Sequence, residues 1–103
     1  MTFFEKLQTI GLPCVYSHYE QGREDIEIPY LAYHGNGQNT FEADDTFYWR
    51  ENQYMVEYYF TEKDEEQEAQ IEDALLSAGY RYDKSDDTYI DTEGMFVIYY
   101  TVY

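Results

Sequence analysis

Residues 53–61, Gln-Tyr-Met-Val-Glu-Tyr-Tyr-Phe-Thr, indicate the fold class because they alternate with the period of two of a half-buried β-strand. The set of positions that we predict to face the core is entirely aromatic or aliphatic: Tyr54, Val56, Tyr58 and Phe60. The partner strand is predicted at residues 46–50, with Glu51 and Asn52 at the turn. The centre of the chain is therefore predicted to be a β-hairpin.

The clearest helix follows directly, over residues 64–78. Asp64 can cap its N-terminus, and the glutamates of the first turn lie where the helix dipole favours negative charge. Apolar residues recur at the spacing i, i+3, i+4 and i+7 and form one helical stripe: Ile71, Ala74, Leu75 and Ala78. Gly79 is predicted to end the helix.

A second hairpin is predicted after this helix, over residues 80–91 and 95–103, with its turn at 91–94. One face of the last strand holds Phe96, Ile98, Tyr100 and Val102, and the other holds Met95, Val97, Tyr99 and Tyr103. Both faces are apolar. One face can therefore cover the core, and the other is a candidate contact surface.

The N-terminal part is predicted to begin with a short helix at residues 2–10, where Thr2 and Glu5 form a capping-box pattern. Strands are predicted at 14–19 and 28–34, with an exposed acidic loop at 20–27. Gly35-Asn36-Gly37 is a turn signal, and a polar loop containing Phe41 is predicted at 38–45.

The resulting element order, α-β-β-β-β-α-β-β, predicts an α+β fold in which two helices pack on a mainly antiparallel or mixed sheet. The length of 103 residues is close to the usual size for one hydrophobic core, so a single domain is predicted over residues 1–103.

The charge balance excludes several classes of partner. The chain has 22 acidic and 6 basic residues, which gives a net charge of −16. Binding to nucleic acid phosphates or to an anionic membrane surface needs clustered lysine and arginine, and the basic residues here are scattered. No signal peptide and no membrane-spanning run is expected, and one cysteine fits a reducing cytoplasm.

No residue pattern indicates catalysis, so we expect no enzyme activity, no cofactor and no metal. Cys14, His18 and His34 lie on two neighbouring predicted strands, but a structural metal site normally needs four ligands at tight spacing. The favoured interpretation is that they are ordinary strand residues. A small enzyme or metal protein with a pocket at these residues is the third hypothesis, and paired carboxylates for glycoside chemistry also stay open.

Five stretches resemble a family of small proteins encoded by tailed bacteriophages and prophages of Gram-positive bacteria. They span most of the chain in the same order, and none is a chemical motif. They are Leu-Pro-Cys-Val-Tyr-Ser-His-Tyr at 12–19, Pro-Tyr-Leu-Ala-Tyr at 29–33, Ala-Asp-Asp-Thr-Phe-Tyr at 43–48, Val-Glu-Tyr-Tyr-Phe-Thr-Glu-Lys-Asp at 56–64, and Tyr-Asp-Lys-Ser at 82–85 with Tyr-Ile at 89–90.

These relatives look like tail-terminator or neck components of long-tailed phages. The resemblance implies a ring, typically a hexamer, that caps the tail tube and meets the head connector. It implies an α+β fold whose sheets line a channel for DNA, and no catalytic residues. An acidic lumen would repel phosphates and let DNA pass. The implied location is the host cytoplasm during assembly and then the tail or neck of the virion.

Two functions from different classes follow. In the first, the protein is a structural component that contacts further copies of itself, tail-tube proteins and head-connector proteins, and the candidate interface residues are Phe41, Tyr59, Met95, Val97, Tyr99 and Tyr103. In the second, it is an acidic DNA mimic that inhibits a nucleic-acid-binding enzyme. Strand propensity also explains the tyrosines. The aromatic strands favour the first, because a mimic needs charge but no apolar second face.

Overall fold

The computed structural model describes residues 2–17, 27–43 and 47–103, with the side chains of 38–43 and 47–51 left out of the description. The elements along the chain are α1 Phe3–Gln8, β1 Cys14–Tyr16, β2 Tyr30–Ala43, β3 Phe47–Phe60, α2 Glu65–Ser77, β4 Tyr82–Lys84, β5 Thr88–Ile90 and β6 Met95–Val102. None of these helices is long and apolar enough to cross a membrane.

The strands form one six-stranded sheet in the order β1-β2-β3-β6-β4, with β5 also paired to β6. β1 runs parallel to β2, and every other pair is antiparallel. The predicted α+β class, with two helices and a mixed, mainly antiparallel sheet, is confirmed. The helices and the groups of strands also succeed one another as predicted.

Both helices pack on the same side of the sheet, which we call the helix face. Phe3 and Leu7 of α1 and Ile71 and Leu75 of α2 belong to one core cluster with residues from the three central strands. The strand residues of the cluster are Leu31, Val56, Tyr58, Phe60, Ile98, Tyr100 and Val102. Each fully buried apolar side chain of this kind contributes about 1.5–3 kcal/mol relative to exposure.

The helix ends follow the predicted capping. The Glu5 N–H donates to Thr2 Oγ1 at 3.2 Å, and the Thr2 N–H donates to Glu5 Oε1 at 3.0 Å, which completes the capping box of α1. Asp64 caps α2 by accepting from the Gln67 N–H at 3.1 Å. Gly79 then takes a φ of +91°, which a residue with a side chain adopts at a cost.

The centre of the chain differs from its prediction. β3 is continuous from Phe47 to Phe60, so the predicted turn at Glu51 and Asn52 is wrong: these residues pair with Asn39 and Gln38 of β2. The predicted loop at 38–45 is wrong for residues 38–43, which belong to β2. Polarity misled the prediction, because a strand that few neighbours cover tolerates polar residues.

Gly35-Asn36-Gly37 is a β-bulge and not a turn. Gly35 pairs with Tyr54 and Gln38 with Asn52, so two residues of β2 stand opposite one residue of β3. Gly37 has a φ of +88°, a conformation that glycine adopts freely in a turn and equally in a bulge. The sequence signal was therefore correct about the backbone geometry and wrong about the direction of the chain.

The two ends of the sheet are shorter than predicted. β1 ends at Tyr16, and His18, Tyr19 and residues 20–26 of the predicted loop lie outside the described residues. The predicted strand at 80–91 is two short strands, β4 and β5, because residues 85–87 leave the ladder between them. Ser85 marks this interruption, since its hydroxyl accepts from the Tyr99 N–H at 2.8 Å.

Candidate protein-interaction surface

The β2–β3 hairpin continues past the strands that flank it. β1 accompanies β2 only as far as Tyr33, and β6 accompanies β3 only from Tyr54 onward. Beyond these points the two strands pair with each other, and none of the described strands adds a third partner. We call residues 35–43 and 47–53 the arm, and the remaining described residues the body.

The arm makes the molecule long. The radius of gyration is 15.2 Å, whereas a compact chain of this length has about 13 Å. The principal extents are 52 × 29 × 25 Å. Nine residues of extended chain, the length of the β2 half of the arm, span about 30 Å.

Register gives the arm two chemically different faces. Phe41 pairs with Trp49 and Ala43 pairs with Phe47, so these four positions share one face of the ladder. The alternate positions are polar or charged apart from one tyrosine, and they pair Gln38 with Asn52, Thr40 with Arg50 and Glu42 with Tyr48. The backbone therefore places an apolar row on one face of the arm.

This apolar row lies on the same side of the sheet as one particular face of the body. In β3, Trp49 has the same parity as Met55 and Tyr59, which alternate with the core residues Val56 and Tyr58. The row therefore lies on the side of the sheet away from the helices, which we call the opposite face. Along β3, two polar positions of the same parity, Glu51 and Gln53, separate the row from the body part of this face, and Glu51 pairs with Asn39.

In the body, the opposite face is built from tyrosines around a shallow cavity. The rings of Tyr30 and Tyr59 stack with their centroids 4.8 Å apart. Burial, and then the nearby Glu57 carboxylate, raise the pKa of Tyr59 well above its usual range. A cavity of about 190 Å³ opens beside this stack and is lined by Tyr30, Tyr59, Ile90, Glu93 and Met95.

All six residues of the predicted interface occupy positions on the opposite face. Phe41 belongs to the arm, Tyr59 to β3, and the others to β6 or to the residue that follows it: Met95, Val97, Tyr99 and Tyr103. Their accessibility differs. Tyr99 is 36% exposed, Tyr59 and Tyr103 are partly exposed, and Met95 and Val97 are buried at 7% and 0% exposure.

The burial of Met95 and Val97 revises their expected role. Both were predicted to lie on an outward contact face of the last strand. Val97 stands between Tyr59 of β3 and Thr88 of β5 in the ladder, and its side chain has no exposed area. In the single chain Val97 can support a contact surface but cannot itself touch a partner, and Met95 is accessible only through the cavity that it lines.

Charge is distributed unequally between the two sides. Seven of the 22 acidic residues lie between positions 62 and 73, in and before α2 on the helix face. On the opposite face of the body, the three central strands carry one carboxylate among their described side chains, Glu57, and it is only 8% exposed. Among the described residues, the central strands of the opposite face therefore carry less charge than the segment around α2 on the helix face.

A polar cluster holds α2 against the edge of the sheet. Lys84 Nζ lies 2.8 Å from Glu68 Oε1 and 2.8 Å from Glu72 Oε2, and Lys63 Nζ lies 2.9 Å from Glu68 Oε2. The Tyr100 hydroxyl donates to Glu72 Oε2 at 2.9 Å. Burial alone would raise the pKa of Glu68, but the hydrogen bonds from Lys84 and Lys63 outweigh it and hold that pKa below its usual value.

The residues considered for metal or cysteine chemistry are not assembled into a site. Cys14 is partly buried against the core on the helix face, where burial raises the pKa of its thiol to about 11. His34 has the alternate parity and lies on the opposite face, while His18 lies outside the described residues. Within the described residues, no three histidine, cysteine or acidic side chains are grouped as a metal site would need.

The arm is the feature that sequence reasoning missed. A signal was present, since Phe41 and Ala43 on one side and Phe47 and Trp49 on the other alternate with polar or amphipathic residues.

Comparison with known proteins identifies no relative of this chain. No protein-family model matches it, and the search of curated proteins gives no significant match. The resemblance to phage tail and neck proteins stays a prediction.

Proposed function

We propose that this protein is a structural component of a phage tail or neck, acting as a tail terminator or tail-completion protein. It joins copies of itself into a ring through which DNA passes, and the resemblance to tail terminators implies a hexamer. The observation that carries the proposal is the arm, an elongated two-stranded extension whose apolar row lies on the same side of the sheet as the aromatic opposite face of the body. Its partners are further copies, the tail tube and the head connector.

The physical basis is that none of the described strands pairs with the outer edges of the arm, while its register places four apolar residues on one face. An isolated two-stranded ribbon is marginally stable in water, and three or more strands or a covering layer are needed for independent stability. Unpaired strand edges also bind other strands readily. A chain with such an arm is suited to an oligomeric assembly, in which neighbouring subunits cover the apolar face of the arm.

The charge suits a channel for DNA. With a net charge of −16, each subunit presents carboxylates to the DNA, and like charges lower its affinity for the passing phosphates. The acidic residues around α2 and the aromatic opposite face lie on different sides of the sheet. One side can then contact neighbours while the other faces solvent or the lumen.

An acidic DNA mimic is the competing function, and the opposite face distinguishes the two. A mimic needs regularly spaced carboxylates and has no use for tyrosines such as Tyr99, which is 36% exposed on the side of the sheet away from the helices. The assembly function uses both the charge and the aromatic residues. A mimic would bind a basic DNA enzyme tightly at low salt and lose that affinity at high salt.

The decisive experiment interrupts the gene in the phage or prophage genome that encodes it. We expect filled heads and tails that remain unjoined, or tails of irregular length, when particles are viewed by electron microscopy. Supplying the protein from a plasmid should restore complete particles, and mass spectrometry should detect the chain in purified virions. Normal infectious particles from the interrupted genome, with no chain in them, would overturn the proposal.

A further inference from the structure

We propose that the arm of one copy docks with its apolar row on the opposite face of the body of a second copy. This inference rests on the self-association in the proposed function and would hold whether or not the assembly belongs to a phage. It names both contact surfaces, which are the row of Phe41, Ala43, Phe47 and Trp49 and the body surface around Tyr59 and Tyr99.

The dimensions of the two surfaces agree. The arm reaches about 30 Å from the body by the rise of an extended strand. The two shorter extents of the molecule are 29 and 25 Å, so one arm can cross the full width of another copy. Two sheets that pack face to face bury interdigitating side chains in a layer about 10 Å thick, which is the covering layer that a two-stranded ribbon lacks.

The cavity on the opposite face suits a side chain. Its volume of about 190 Å³ is below the roughly 300 Å³ at which small-molecule pockets begin. Tyr30, Tyr59, Ile90 and Met95 give it an apolar lining with one carboxylate, Glu93, at the side. A pocket of this kind typically takes a single aromatic anchor from a partner protein, and the arm offers three aromatic residues on the matching row.

Electrostatics decides between a second copy and a different partner. Two copies at −16 each repel, so they can approach only through surfaces that carry little charge. On the opposite face of the body, the central strands carry one described carboxylate, Glu57, which is 8% exposed. The exposed carboxylates of Glu93 and Asp83 lie beside these strands, at the cavity and on β4. A basic partner would be drawn to the acidic residues around α2, and would leave the less charged aromatic face without an occupant.

The contact joins two different patches, so it is heterologous. Such a contact propagates around a ring, or closes as a reciprocal pair in which two copies exchange arms. Because neither patch is self-complementary, a copy with a damaged arm still offers an intact body, and a copy with a damaged body still offers an intact arm. This property allows a complementation experiment.

The test begins with the mass of the purified full-length chain by light scattering, at low and high salt and over a range of concentrations. We expect assembly that strengthens at high salt, because screening weakens the repulsion between copies. Trp49→Lys should weaken assembly at least tenfold. Tyr48→Lys adds the same charge at the neighbouring position, which the register places on the other face of the arm. Because successive strand residues face opposite sides, it should leave assembly within about threefold of the wild type.

The body side is tested by Tyr99→Asp, with Tyr89→Asp as its control. Tyr89 is also well exposed, at 53%, but it packs beside Phe96 on the helix face. Tyr99→Asp should abolish assembly while Tyr89→Asp retains it, and circular dichroism should show that both variants are folded. A mixture of the Trp49→Lys and Tyr99→Asp chains should form one-to-one pairs that grow no further.

Each other experimental outcome would overturn a specific element of this proposal. A wild-type chain that is monomeric under every condition overturns self-association and this inference with it. An assembly that Trp49→Lys and Tyr48→Lys weaken equally, or that both leave intact, overturns the docking of the arm and leaves the proposed assembly function standing. A mixture of the two defective chains that stays monomeric overturns the heterologous contact.

Discussion

The body and the arm are made from the same two strands and differ in what covers them. In the body, Val56 and Tyr58 of β3 are covered by two helices and are 0% and 1% exposed. In the arm, β3 keeps its alternation, but the described strands give it only β2 as a neighbour. Alternating hydrophobicity therefore indicates that a strand will be covered on one face, without indicating whether its own chain or another chain covers it.

The comparison also separates two kinds of stability. The free energy of unfolding of the body comes from side chains buried within one chain, and it is independent of protein concentration. Any stability that the arm gains by docking depends on the concentration of the partner. Substitutions in the body and in the arm should therefore change the free energy of unfolding by different amounts.

The largest effect is expected from a core substitution. Ile71→Ala removes a fully buried side chain between α2 and the sheet, and should lower the free energy of unfolding by about 2–5 kcal/mol. Trp49→Ala in the arm should lower it by less than about 1 kcal/mol for the dilute protein, since a ribbon without a covering layer adds little stability. Urea unfolding at low concentration measures both. Comparable losses in the two variants would contradict the division into body and arm.

The next effect is alkaline destabilisation of the body. Burial, with help from Asp64 and Glu68, raises the pKa of Tyr58 to about 12 from its usual 10.0. A raised pKa in the folded state means that the unfolded chain loses its proton first, so the stability is present below pH 10 and is lost as the pH rises toward 12. Thermal unfolding across this range should show the loss.

The control for this pH dependence is Tyr58→Phe, which removes the ionisable hydroxyl and keeps the ring. The variant should unfold with a shallower dependence on pH between 10 and 12. Tyr100, whose pKa burial and Glu72 raise further, keeps a residual slope in the variant. An unchanged slope would mean that Tyr58 is not a source of the alkaline transition.

A smaller effect is expected from the polar cluster on α2. Glu68→Gln keeps the shape of the side chain but removes the charge that Lys63 and Lys84 approach, and should cost about 1–3 kcal/mol. Because the pKa of Glu68 is lowered in the folded protein, its stabilising contribution is present above the pKa of the unfolded chain, about 4.5, and is lost as the pH falls. The variant should therefore lose less stability than the wild type below pH 4.5.

The smallest effect concerns the one cysteine. Burial raises the pKa of Cys14 to about 11, so little of it is thiolate at neutral pH. Labelling by a thiol reagent should be slower in the native protein than in the urea-unfolded protein by at least tenfold. Native labelling as fast as in urea would show that the end of the sheet at β1 opens readily. β1 would then resemble the arm, and not the body, in contributing little to the free energy of unfolding.

The sequence predicted the parts of the fold that depend on local pattern. The capping residues Thr2 and Asp64 mark the starts of both helices, and the alternation in residues 53–61 identified the core face of β3. It misread Gly35-Asn36-Gly37, because a glycine with positive φ serves a bulge and a turn equally. It also placed a turn at Glu51 and Asn52, where polar residues belong to a strand with few neighbours.

For the six candidate interface residues, the sequence correctly predicted which face of the sheet they occupy but not which of them are exposed to solvent. Phe41, Tyr59, Met95, Val97, Tyr99 and Tyr103 share one face because side chains alternate along every strand, which is a local property. Whether a member of that face is exposed depends on which strands lie beside it. β5 next to β6 helps to bury Val97, while Tyr99, beyond the end of β5, remains accessible.

The amino-acid sequence by itself determined the α+β class, both helices with their caps, the core face of the central strands and the strong negative charge, because each follows from spacing along the chain. Only the tertiary structure decided that β2 and β3 run past the sheet as an arm, and that the apolar row of the arm lies on the side of the sheet away from the helices. Those properties depend on where neighbouring strands end, and the end of a neighbour is set by pairing between residues far apart in the chain.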